Sequence, residues 1–504
     1  MISLDKIQVL QLGYESWEKT YSLPDTVELS YVETLTKPSK RLYDLVFLDR
    51  MPLDCEIVPL QQATRAYTLF VTEQVELTGR LEWLYRSKRG RRIASADIPD
   101  FLRSEAKKFF PDSYANKTRL RDLAIGRGFS GSVRWNGNCS VCLEGDFGTE
   151  FNQIVFWKYN IPISHGQCLD LWMEYQKSER VSIVLMVTLF PWTSDFAVLK
   201  KWEFSEKDLE REVRIDNEMS DGFLFVTLMA AGQGELRIIA LHDRLSRGGY
   251  GLFIPGGEQH VTSNREEVFS YFDPGDMKPP LNVYFSGYKT QEGFEGYYLM
   301  RNMGCPFLLI AEARLEGGGF YVGTQEYETV IVNLILKSMK ELGFTRDQVI
   351  FSGISMGSFG ALYYGCDIMP HAMILGKPLA SIGDVAANER LRRPGGFPTS
   401  LDVLQYLCGS MDEDAVKRLN RRLWDKFDRT DWGRSKIIVS YMIEDDYDGS
   451  AYEKLISHLH SDGVQLYGKG FHGRHNDNTA GIVNWFSGQM RQILSEDFQR
   501  KAEG

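Results

Sequence analysis

The sequence predicts an α/β protein of three domains: a small α/β domain over residues 1–122, a β-rich, sandwich-like domain over 123–270, and a parallel α/β domain over 281–504 with a helical insert at about 400–430. Three observations carry this prediction. After residue 281, short apolar runs alternate with runs of helical period. Between about 125 and 262, strand-like runs follow one another with little helical periodicity. At 504 residues the chain is also too long for one hydrophobic core and long enough for two to four domains.

The elements follow in chain order. IQVLQLG, YDLVFLD and AYTLFVTE are apolar runs that end in turn or acidic residues, and RLEWLYRSK and IPDFLRSEAKKFF have helical spacing. No G-x-G-x-x-G or Walker-type loop accompanies them, so nucleotide binding has no support. In the middle region FNQIVFWKYNIPI, CLDLWMEYQ, VSIVLMVTLF, GFLFVTLMAA and GELRIIALHDRLS are strands separated by turn residues, the pattern of an antiparallel sandwich. Its tryptophans Trp135, Trp157, Trp172 and Trp192 read most simply as core or inter-sheet packing, although exposed ones would suit stacking on sugar rings. The proline- and glycine-rich YFDPGDMKPPLN, Tyr271 to Asn282, reads as a linker.

Beyond it LNVYFSGY, FLLIAEARL, DQVIFSGIS, HAMILGKP, KIIVSYMIEDD and GVQLYGKGF are strands. ETVIVNLILKSMKELG, SFGALYYGCDIM, SAYEKLISHLHSDG and NTAGIVNWFSGQMRQILSEDF are helices. Buried strands separated by helices specify a parallel sheet covered on both faces. The charged DVLQYLCGSMDEDAVKRLNRRLWDKF is the helical insert.

Composition narrows the function. A net charge of -10, from 68 acidic and 58 basic residues, leaves no basic excess for phosphate counterions, so no nucleic-acid partner is expected. The amino terminus lacks signal-peptide features and no apolar run reaches about 18 residues, which predicts a cytoplasmic protein with at most peripheral membrane contact. Seven scattered cysteines suit reduced thiols, and the lone Cys139-Ser140-Val141-Cys142 has no partners for a zinc site.

The chemistry lies in VIFSGISMGSFGALYYG, Val349 to Gly365, which contains a G-x-S-x-G centred on Ser355. Chance alone supplies roughly 0.3 such matches in a chain of this composition, so the setting decides. A strand feeds a small-residue helix, and Gly353 and Gly357 remove the side chains that would crowd the turn. This is a nucleophile elbow of α/β-hydrolase type, with the Met356 N–H at the helix start facing a developing oxyanion. A second donor is expected after an earlier strand, at the N–H groups of Gly287 and Tyr288 in NVYFSGYKT. A serine needs a base, and in this fold the acid and then the histidine follow it in the chain. The loop after the last strand, H-G-R-H-N-D, offers His472 and His475; His475, just before the final helix, is the better placed. The acidic turn after the preceding strand holds Glu444, Asp445, Asp446 and Asp448. Turn spacing favours Asp445, with Glu444 its alternative.

GFEGYYLMRNMGCPFLLIAEARLEGGGFYVG, the elbow, the EDDYDG turn, the GFHGRHND loop and the upstream LRIIALHDRLSRGGYGLFIPGGEQHV together resemble the second of the accessory Sec system proteins of streptococci and staphylococci. The resemblance implies an α/β-hydrolase-like C-terminal domain with a serine-histidine-acid triad, in which Ser355 and His475 match directly and the acid falls in the Glu444–Asp445 turn. It implies O-acetylation of N-acetylglucosamine on serine-rich-repeat glycoprotein adhesins. It also implies adhesin export through the accessory SecA motor and SecY, in a complex with the first and third accessory Sec proteins, peripheral to the membrane translocon. No cofactor or metal is expected, and no CoA-type motif identifies the acetyl donor. The same residues would serve a carbohydrate or acyl esterase, and the β-rich domain would serve a non-catalytic, glycoprotein-binding export scaffold.

Overall fold

The computed structural model describes residues 6–37, 41–111, 113–193, 197–460 and 463–500. Near the amino terminus five parallel strands lie side by side in the order Val27–Val32, Ile7–Leu12, Leu45–Leu48, Leu69–Thr72, Arg91–Ile93. The run 98–110 winds as short mixed helical turns rather than one helix. Phe101 and Phe109 both reach the ring of Phe70, at 4.8 and 5.8 Å, and this shared contact overrides the local helical preference.

The middle region is one ten-stranded sheet built on the 24-residue strand Gly222–Leu245, which pairs antiparallel with five neighbours. The long strand changes register near Gly232, at φ 96°, where a Cβ would lie 1.9 Å from the Arg180 carbonyl oxygen. Ala115–Thr118 belongs to this sheet, so the β-rich region begins before residue 123. Trp157 and Trp172 are core residues, whereas Trp135 and Trp192 are exposed.

The C-terminal sheet has eight strands: β1 (Glu258–Val261), β2 (Glu267–Asp273), β3 (Leu281–Phe285), β4 (Phe307–Ala311), β5 (Val349–Ile354), β6 (Ala372–Gly376), β7 (Lys436–Met442) and β8 (Gln465–Phe471). Their order is β1-β2-β4-β3-β5-β6-β7-β8, with β2 antiparallel to both neighbours and the pairs from β4 to β8 parallel. This corrects the linker reading of Tyr271 to Asn282. The stretch ends β2, turns and begins β3 inside one sheet, and the domain starts near residue 258 rather than 281. Proline and glycine mark a chain reversal; they do not say whether it joins two domains or two strands.

Alternation along the strands feeds two cores. Val283, Phe285, Val349 and Phe351 face helices α1 (Gln325–Leu342) and α2 (Met356–Ile368), while Tyr284 and Ile350 face the final helix. Between β6 and β7 lie α3 (Ile382–Leu391), α4 (Thr399–Cys408) and α5 (Glu413–Phe427), so the predicted insert corresponds to α4 and α5 with one more helix upstream. The chain continues through α6 (Ala451–His458) to α7 (Thr479–Glu496); Ser461 and Asp462, in the predicted run SAYEKLISHLHSDG, lie outside the described residues. Among the described residues no helix is long and apolar enough to cross a membrane.

The β-rich region meets the C-terminal sheet through a buried ionic network. The His242 ring hydrogen-bonds Glu292 through Nδ1 and Glu174 at 3.1 Å through Nε2. Arg244 reaches Glu267 and Glu292, each at 2.7 Å, and Glu212 at 3.0 Å. Donor atoms of Glu174, His242 and Glu267 lie within 4.8 Å of one another, a spacing that suits a cation, but Arg244 and the imidazole already engage these carboxylates. Burial opposes a charge on His242, yet Glu292, Glu267 and Glu174 hold its pKa at about 9 against 6.5 for a free imidazole.

A raised folded-state pKa stabilises the fold in full below about 6.5, and that contribution is lost as pH rises through about 9. His242→Gln should therefore lower the thermal midpoint most near pH 6, and the gap to the parent should narrow by about pH 10, as thermal melts across that range would record. A gap independent of pH would refute the charged imidazole.

Candidate active site

Ser355 stands between β5 and α2 at φ 56°, ψ -122°. A non-glycine residue there costs about 1–3 kcal/mol, which the surrounding contacts must offset. The Ser355 N–H donates to the Gly376 carbonyl at 2.8 Å, and its carbonyl accepts the Ser358 N–H at 2.9 Å and hydroxyl at 2.5 Å. The glycines are steric necessities. A Cβ on Gly353 would lie 2.3 Å from the Gly357 carbonyl carbon, and one on Gly357 would lie 2.1 Å from the Phe285 carbonyl oxygen. The serine itself is half-buried.

Ser355 Oγ lies 2.8 Å from His475 Nε2, and His475 Nδ1 lies 2.8 Å from Asp445 Oδ2. The other Asp445 oxygen accepts the N–H groups of Tyr447 at 2.8 Å and Asp448 at 3.2 Å. Burial would raise the Asp445 carboxyl, but the His475 hydrogen bond and charge and these two N–H groups outweigh it and hold it below the usual carboxylate range. His475 is almost fully enclosed, with its ring stacked on Tyr447 at 4.2 Å and 7°. On Tyr447 the Arg393 guanidinium lies 3.5 Å from the ring centroid, and Phe397 stacks at 5.5 Å.

The acidic turn divides its carboxylates among four tasks. Asp445 orients His475. Asp446 accepts the His475 backbone N–H at 3.1 Å and pairs with Arg393 at 3.2 Å. Asp448 is buried and accepts the Ala380 and Ser381 N–H groups at 2.8 and 2.7 Å. Glu444, the alternative acid, faces away from the relay: it bonds the exposed His472 at 3.0 Å and the Gly473 N–H at 2.6 Å. His472 is thus a rim residue joined to Glu444, and neither belongs to the serine's hydrogen-bond chain. A cavity of about 780 Å³ opens behind this turn, bordered by Arg392, Arg393 and Arg474; Ser355 is not on its wall.

The two expected oxyanion donors after β3 separate. The Gly287 N–H is taken by Glu295 Oε2 at 2.6 Å, which corrects its assignment as a donor. The Tyr288 N–H and the Met356 N–H have no acceptor among the described residues. The Tyr288 loop is close to the elbow, since a Cβ on Gly287 would lie 3.2 Å from the Ile354 carbonyl oxygen. The glycine-rich run at 317–319 gains a role as well. Gly317 leaves room for the Tyr288 ring and Gly318 for the Met356 side chain, where a Cβ would approach to 2.3 and 2.5 Å. Sequence reasoning missed Tyr447, Arg393, Asp446 and Glu295. Only Tyr447 and Asp446, inside the quoted acidic turn, carried a local signal.

The family model of the accessory Sec system GspB-transporter matches residues 7–500. The second Asp protein of the accessory Sec system of Streptococcus gordonii is 38% identical over 508 residues, covering 99% of each chain. Its counterpart from Staphylococcus aureus is 38% identical over 391 residues, 78% of this chain and 75% of that one. A solved chain of the glycosylation associate protein (Gap123) complex from Streptococcus agalactiae is 35% identical, with a TM-score of 0.88 over 99% of this chain and 100% of that chain.

Two outcomes follow from the geometry. Gly357→Ala drives a methyl into the Phe285 carbonyl and should cost about 1–3 kcal/mol or more, read as a fall in thermal midpoint together with loss of Ser355 labelling by a fluorophosphonate. Asp445→Asn should slow that labelling by up to about 10⁴-fold while Glu444→Gln stays near the parent rate. Equal losses from both would refute the division of roles.

Proposed function

The chain belongs to the accessory Sec system GspB-transporter family, and from that membership together with the Ser355–His475–Asp445 relay we propose that it is a serine acyltransferase that O-acetylates N-acetylglucosamine on serine-rich-repeat adhesins and serves their export. The observation that carries the enzymatic part is the unbroken chain of two 2.8 Å hydrogen bonds behind a half-buried serine. In the first half-reaction His475 Nε2 takes the Ser355 proton as Oγ attacks the acetyl carbonyl of a donor. The tetrahedral oxyanion is met by the Met356 and Tyr288 N–H groups. Collapse expels the donor's leaving group, which takes the proton from His475, and leaves an acetyl ester on Ser355. In the second half-reaction His475 removes the proton of a sugar hydroxyl, which attacks that ester; the acetylated sugar departs and Ser355 regains its proton. Asp445 stabilises the imidazolium at each stage without itself taking the proton.

Transfer instead of hydrolysis requires that the sugar hydroxyl be held in place of water. The export role rests on family membership, and the Streptococcus agalactiae relative, solved as a glycosylation associate protein (Gap123) complex, supports assembly with other proteins of the system, which we take to be the first and third accessory Sec proteins. The accessory SecA motor and the glycosylated adhesin complete the proposed set of partners at the translocon.

Ser355→Ala should abolish acetate on the adhesin glycan and leave the thermal midpoint close to that of the parent. Mass spectrometry of the glycan from parent and mutant cells, with adhesin export measured in parallel, reads both roles. Unchanged acetylation would overturn the enzymatic reading. Normal export of unacetylated adhesin would show that transport does not depend on the chemistry.

A further inference from the structure

The loop between β3 and residue 296 carries the Tyr288 N–H, and it is fastened at two carboxylates. Near the sheet, Glu295 accepts the Gly287 N–H at 2.6 Å and its own N–H donates to Ser286 Oγ at 3.1 Å. Farther along the loop, Glu292 enters the β-rich region, where it is almost fully buried. There it accepts from His242 Nδ1 and from Arg244 Nε at 2.7 Å, both on the strand Gly222–Leu245. Burial would raise the Glu292 carboxyl, but Arg244, His242 and Lys117 outweigh it and hold it well below the carboxylate range. The remaining charges facing His242 and Arg244 are Glu174 on the strand Cys168–Lys177, Glu267 on β2, and Glu212.

The β-rich region grips a second loop of the same site. Lys117 Nζ donates to the Ala313 and Leu315 carbonyl oxygens, immediately before the glycines that seat Tyr288 and Met356. The two loops are tied together where the Lys289 N–H meets the Gly317 carbonyl at 3.3 Å. The Tyr288 backbone is therefore flanked by contacts of two origins, Glu295 and Gly317 within the C-terminal domain and, through Glu292 and Lys117, the β-rich region.

Building on the acyl-transfer reading above, we propose that Glu292 is a positioning residue, through which His242 and Arg244 of the β-rich domain hold the Tyr288 N–H where it meets the oxyanion formed at Ser355. The β-rich domain is then part of the catalytic apparatus as well as a neighbour of it. Displacing a positioned group by about 1 Å is enough to cost about 10²-fold in rate. Ground-state binding of the donor does not use the oxyanion contact, so KM is left alone.

The test uses the full-length chain and a fluorophosphonate probe. In this reaction Ser355 Oγ bonds to phosphorus, fluoride leaves, the proton passes to His475, and the phosphoryl oxygen occupies the oxyanion position. Labelling reads that position without any acetyl donor or sugar acceptor. Glu292→Gln should slow labelling by about 10- to 100-fold and lower kcat for acetyl transfer by a similar factor, with KM for the donor within about twofold. Glu56→Gln, which breaks the buried 2.7 Å ion pair with Arg50 in the amino-terminal region and lies outside this network, should lower the thermal midpoint yet label at close to the parent rate. If both variants slow labelling in proportion to lost stability, Glu292 is merely structural and the inference fails. Should Glu292→Gln not fold, Glu292→Asp, which keeps the charge but shortens the reach by one methylene, reads the same quantity. Parent protein that labels normally but transfers no acetyl group would overturn the acyltransferase reading and leave the role of Glu292 to be judged from the labelling rates.

Discussion

The positive φ of Ser355 is the constraint on which the rest of the C-terminal domain depends. A side chain held at that turn projects out of the sheet only if the strand before it and the helix after it approach almost to contact. Gly353 and Gly357 make the approach possible, and the Phe285 carbonyl, 2.1 Å from where a Gly357 Cβ would sit, shows how little room remains. The bonds from Ser355 to Gly376 and Ser358 hold the strained conformation from both sides. Strain of this kind persists where the surroundings over-determine it, and here neighbours on β3, β6 and α2 all contribute.

Around that serine the polar groups are divided finely. Histidine orientation takes one oxygen of Asp445, while the second oxygen is occupied by two backbone N–H groups, so the carboxylate is locked as well as charged. The Tyr447 ring, between Arg393 and His475, fixes the imidazole plane by stacking rather than by a hydrogen bond. Such an arrangement leaves the imidazole little freedom to reorient, which is the preorganisation that the proposed base requires. The buried network of His242, Arg244, Glu267 and Glu292 applies the same principle between domains: ions removed from water are tolerated because each is paired several times over.

Much of this was legible in the residue order. The strand, the G-x-S-x-G turn and the small-residue helix at 349–365 could be read directly because steric need restricts the positions flanking Ser355, Gly353 and Gly357, to glycine. Ser355, Asp445 and His475 could be placed by their position after successive strands, since loops at one edge of a parallel sheet converge. The domain boundary was misread because a Pro-Gly run signals a turn of the backbone and carries no information on which strands the turn connects. The divided roles of Glu444 and Asp445 were hidden for a related reason: adjacent residues in a turn point in different directions, and their side chains are chemically almost alike.

By itself the sequence determined the candidate nucleophile, the candidate bases and acids, the alternation that builds a doubly covered sheet, and the resemblance that leads to the accessory Sec family. Tertiary structure alone decided three things. It set Asp445 rather than Glu444 against His475, left the Tyr288 N–H open while Glu295 took that of Gly287, and joined the β-rich region to the active-site loops through Glu292 and Lys117. The reason is physical. Steric restriction at a tight turn selects residue types and so leaves a trace in the sequence, whereas the direction of a backbone N–H and the meeting of charges 50 residues apart, as between His242 and Glu292, are settled only when the chain is packed.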